Sequence, residues 1–154
     1  MKGRNSQSRN NYLKHYGIIR RYVQVKYDIT VSDLEVMLFM NSEPAFALYQ
    51  LKDINSITGM SVSRMKRLHK LGFVDFLEDE SVARVKHIKR ISRLYALSSK
   101  GKAVVNLLYE KLDGGHISVC ANNNPIFKKS APLNHQRQAK DLMRLYRKQM
   151  RGMR

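Results

Sequence analysis

The chain has 154 residues, with 29 Lys plus Arg against 12 Asp plus Glu and a formal net charge of +17. At 43% apolar residues it has the material for a core, which separates it from a disordered polycation. A single cysteine, Cys120, cannot make an internal disulfide or a thiolate zinc site, and no apolar run reaches the roughly 18 residues of a membrane span. These features exclude a secreted disulfide scaffold, a zinc finger and a membrane protein. The N-terminus carries no signal-peptide core, so the expectation is a cytoplasmic protein of a reducing compartment that meets a polyanion and no membrane.

The charge is unevenly placed. Residues 1–27 carry +7, residues 28–127 carry +2, and residues 128–154 carry +8. A nearly balanced middle between two cationic ends usually marks contact with nucleic acid, and an anionic membrane surface or an acidic protein also fits. The organisation read from this is a basic tail over 1–10, a folded domain over 11–115, a linker over 116–132 and a basic helix or arm over 133–154.

In chain order, Tyr12, Tyr16, Ile19, Val23 and Tyr27 recur at helical spacing, and the break follows at Asp28–Thr30. Ser32 and Glu35 read as a capping box ahead of Leu34, Met37, Leu38 and Phe39. Pro44 then opens a third helix carrying Phe46, Leu48, Leu51 and Ile54. After a turn holding Gly59, Ser61 caps a fourth helix that runs to Leu71, and Gly72 supplies its left-handed stop. Phe73–Leu77 and Ile91–Leu97 read as two strands of a hairpin. Ser98 caps a fifth helix, Ser99–Leu112, which Gly114-Gly115 closes. Asn122-Asn123-Asn124-Pro125 and Pro132 mark the connector, and Leu133, Ala139, Leu142, Leu145, Tyr146 and Met150 trace a last helix.

Helices followed by a two-stranded hairpin are the order of a winged helix-turn-helix, a mainly α fold. The fourth helix carries the functional signal. At about 100° per residue, Met65 and Leu68 fall on one side while Ser63, Lys66, Arg67 and Lys70 fall on the other, with Arg64 at the flank. Four cations and no acid on a helix that projects after a short turn suit a DNA groove. The connection between the strands adds Arg84, Lys86, Lys89, Arg90 and Arg93, again without an acid, as a hairpin suited to phosphates or the minor groove.

Leu68-x-x-x-Gly72-Phe73-Val74 and, after the wing, Leu97-Ser98-x-Lys100-Gly101 resemble the MarR family of winged-helix regulators over about residues 12–112. The resemblance implies a transcriptional regulator and a homodimer paired through terminal helices, each protomer setting its fourth helix in one half-site of double-stranded DNA. It places Ser61, Ser63, Arg64, Lys66 and Arg67 at the groove and Arg84, Lys86 and Arg90 on the wing. The other reading is a phage or chromosome-associated assembly protein within a larger nucleoprotein or virion. In that case the same scaffold and its cationic ends hold nucleic acid or an acidic protein.

No enzyme is expected. The histidines His15, His69, His87, His116 and His135 are scattered without an accompanying acidic cluster. Neither a nucleophile elbow nor a phosphate-binding loop motif is present, so no metal or cofactor is expected.

Overall fold

The computed structural model describes residues 13–43, 45–47, 61–77, 94–127 and 133–151. It is mainly helical with a small antiparallel sheet. The elements are α1 (Tyr16–Tyr27, preceded by a 3-10 turn over Leu13–His15), α2 (Val31–Asn41), β1 (Phe46–Ala47), α3 (Val62–Lys70), β2 (Val74–Leu77), β3 (Leu94–Leu97), α4 (Ser99–Leu112) and α5 (Leu133–Arg151). They fall into two compact units, Thr30–Val105 and Met1–Ile29 with Asn106–Arg154.

In the unit from Thr30 to Val105, the sheet order is β1-β3-β2 and both pairings are antiparallel. Val74 faces Leu97 and Leu77 faces Leu94 in the hairpin, while Phe46 faces Tyr95 at the other edge. Tyr95 and Leu97 alternate into the core, as period-two side chains must. Leu34, Met37 and Met40 of α2 and Met65 and Leu68 of α3 are buried in the same unit.

Two sequence expectations change here. Phe46–Ala47 is a strand, not the start of a helix, because this pair finds hydrogen-bonding partners on β3. Leu48, Leu51 and Ile54 lie outside the described residues. The capping box of α2 is Thr30 with Asp33, not Ser32 with Glu35. Asp28 takes the left-handed conformation (φ 54°) and ends α1, so the chain is already extended at Thr30 and the next helix starts at Val31.

The two motif pieces meet in space. Gly72 is left-handed (φ 80°), which turns the chain from α3 into the strand. The Phe73 amide donates to Leu68 O at 3.0 Å, and Phe73 O accepts the Ser98 amide at 3.1 Å. The Ser98 hydroxyl donates to Gly72 O at 2.6 Å and accepts the Gly101 amide at 3.1 Å, capping α4 while tying it to the end of α3. Lys100 Nζ donates to Leu71 O at 2.9 Å and stands 4.3 Å from the centre of the Phe73 ring. Gly101 lies so close that a Cβ there would sit 2.2 Å from Phe73 O. Leu-Ser-x-Lys-Gly is therefore the docking surface for Gly-Phe-Val.

In the other unit, α5 buries Ala139, Met143 and Tyr146 at four- and three-residue spacing. Residues 116–127, expected as part of a linker, are packed: Ile117 and Asn124 are fully buried and Phe127 nearly so. Asn124 Nδ2 donates to Ser118 O at 2.8 Å and to Met143 Sδ at 3.1 Å, and Asn124 Oδ1 accepts the Ile126 amide at 3.1 Å. His15 is buried, bonds Gln149 Oε1 through Nε2, and sets its ring edge-on to Tyr146 with centroids 5.3 Å apart.

Candidate nucleic-acid interface

Local chemistry builds α3. Ser61 is extended (φ −126°, ψ 157°) and its hydroxyl accepts the Arg64 amide at 3.2 Å. The Ser63 hydroxyl lies 3.0 Å from that of Ser61. Met65 and Leu68 are fully buried, which fixes the rotation of the helix about its axis. Ser63, Lys66, Arg67, His69 and Lys70 are consequently exposed and Arg64 is half-buried. No acid occurs between Val62 and Lys70.

The cations of this helix are not equivalent. Asp33, fully buried in the first turn of α2, holds both arginines. Arg64 Nη1 donates to Asp33 Oδ1 at 2.9 Å and to Thr30 Oγ1 at 3.2 Å, while Arg67 Nη1 donates to Asp33 Oδ2. The Thr30 amide donates to the same carboxylate at 2.9 Å. Burial pushes the Asp33 carboxyl up, but the contacts of the Thr30 amide and hydroxyl, Arg67 and Arg64 outweigh it and hold the group below its ordinary value.

Arg64 and Arg67, expected from the sequence to face the groove, are both fastened to Asp33, with side chains 27% and 46% exposed. Lys66 and Lys70 are also exposed on this face and, unlike Arg67, take part in no ion pair among the described residues. A guanidinium has five donors, so Arg67 keeps N–H groups beyond the one given to Asp33. The sequence reading missed Asp33. Its signal is Thr30-x-x-Asp33, two residues ahead of the overlapping Ser32-x-x-Glu35.

The wing cations Arg84, Lys86, Lys89, Arg90 and Arg93 lie outside the described residues. The strands that lead to them are paired at Leu77 and Leu94, so the connection leaves from that end of the hairpin. Among the described residues there is no group of three or more His, Cys, Asp and Glu that could hold a metal, and no helix long and apolar enough to cross a membrane. Comparison with protein-family models, curated proteins and solved structures finds no match.

Proposed function

We propose that the chain binds double-stranded DNA as a winged helix-turn-helix protein with α3 in the major groove, and that it serves as a transcriptional regulator of the MarR type. The observation that carries this reading is the division of α3: Met65 and Leu68 are sealed inside while Ser63, Lys66 and Lys70 stand outside with no acid among them. The small antiparallel sheet beside α3 is compatible with a wing. At about 1.5 Å rise per residue, the nine residues of α3 span roughly 13 Å, a length that suits a groove about 12 Å wide. Lys66 and Lys70 are the first contacts. Arg67, 46% exposed and aimed by Asp33, offers its remaining donors without first losing rotamer freedom.

A selection from random duplexes at fixed salt is expected to enrich one site. Lys66→Ala is expected to weaken binding to that site by about 1–3 kcal/mol and to weaken binding to an unselected duplex by less. No enrichment, together with equal loss on every duplex, would defeat base reading by α3.

A further inference from the structure

We infer that a cleft at the end of α4, walled by Arg147 and Arg151 of α5 and by His116, binds a phosphate group, with nucleic-acid backbone as its source. The site lies wholly within the second unit and does not rest on the reading of α3.

The cleft is built rather than incidental. Tyr146 is fully buried, and its hydroxyl donates to Lys111 O and lies 3.0 Å from Gly115 O. That contact pins the Gly114-Gly115 turn to α5 and so holds His116 beside the last turns of the helix. Arg147 and Arg151 are four residues apart, hence on one face, where like charges cost a few tenths of a kcal/mol. Among the described residues no carboxylate pairs with either arginine or with His116. The Glu110 carboxylate stands beside Gly115, where Lys111 Nζ holds it at 2.9 Å. Two guanidinium groups at one hollow, neither paired with a carboxylate among the described residues, form a site for an anion.

The cleft has a volume of about 140 Å³, room for a phosphate-sized group. One tetrahedral group fits. Two guanidinium groups supply forked donors that match phosphate oxygens. The excess of positive charge over residues 128–154 favours a polyanion as the carrier of the phosphate.

The test is a titration of the full chain, followed by backbone amide NMR at constant ionic strength. Inorganic phosphate and a random-sequence DNA duplex are the two probes. Saturable shifts at Gly114, Gly115 and His116 are expected with both, and the duplex should displace phosphate. Arg147→Gln with Arg151→Gln is expected to weaken phosphate binding at least tenfold, and to lower the slope of log affinity for DNA against log salt by about 0.9. Arg151→Gln alone, at an exposed position, should give part of the effect if the double variant folds poorly. Lys66→Ala with Lys70→Ala should leave these shifts in place, which separates this site from the α3 reading. Linear shifts, or shifts unchanged in the arginine variants, would overturn the site. Saturation by phosphate with no response to duplex would overturn nucleic acid as its source.

Discussion

Gly101→Ala is expected to destabilise the protein by about 3 kcal/mol, a fall of roughly 6–12 °C in Tm. In an ordinary helix the same change adds up to about 1 kcal/mol of stability, because Ala loses less backbone freedom on folding. Here the added methyl would sit 2.2 Å from Phe73 O and 2.9 Å from Leu97 Cδ2. The side chain of Leu97 can shift. The Phe73 carbonyl cannot, because it accepts the Ser98 amide and lies next to the turn at Gly72. The clash must be relieved by moving α4 off the hairpin, which opens the contacts of Val104 and Val105 as well. Thermal unfolding followed by circular dichroism measures the outcome. A change within about 0.5 kcal/mol of zero would show that α4 docks with slack.

Asp33→Ala is expected to cost about 2–3 kcal/mol at neutral pH. It removes half of a capping box, worth about 1 kcal/mol, and the buried carboxylate that both arginines share. The partial exposure of Arg64 and Arg67 lets water solvate them after the loss, which keeps the cost below the 3–5 kcal/mol typical of a broken buried pair. The sign of the pH dependence follows from the lowered titration of Asp33. The folded state binds this proton less readily than the unfolded state, so the carboxylate contributes its full stabilisation above the unfolded value of about 3.9. That contribution is lost as pH falls through the lower folded value. Urea unfolding should therefore show the full gap between wild type and variant at pH 5–7 and a shrinking gap below about pH 4. A gap that stays constant down to pH 3 would remove the charge from the explanation.

What was legible in the sequence was local chemistry. Ser61 and Ser98 cap the helices that they precede, and Gly72 takes the left-handed turn, because each role needs only a short side chain or its absence next to a helix end. The faces of α3 were legible too, since two buried side chains three residues apart fix the orientation of a short helix. The rest depended on partners distant in the chain. Phe46–Ala47 is a strand because β3 lies beside it, a fact that no window around Pro44 contains. Two capping patterns overlap at Thr30 and Ser32, and the left-handed turn at Asp28 decides between them. A helical wheel shows where Arg64 and Arg67 point but not that Asp33, on another helix, receives them. Asn122–Pro125 reads as coil and forms a turn leading into a 3-10 helix at Pro125–Phe127, yet the buried Asn124 shows that a turn can be as firmly packed as an α-helix.

The tie at Phe73 and Ser98 also bears on isotope exchange. Amides in the opening turn of a helix ordinarily trade their protons with solvent quickly, since they have no carbonyl four residues back. The amides of Ser98 and Gly101 do have acceptors, one on Phe73 and the other on the Ser98 hydroxyl, and Ser98 and Gly101 are themselves buried. Deuterium can therefore enter at Ser98 only when α4 parts from the Phe73 end of the hairpin, so that proton times the undocking of α4, while Gly101, bonded within its own cap, times the fraying of the first turn.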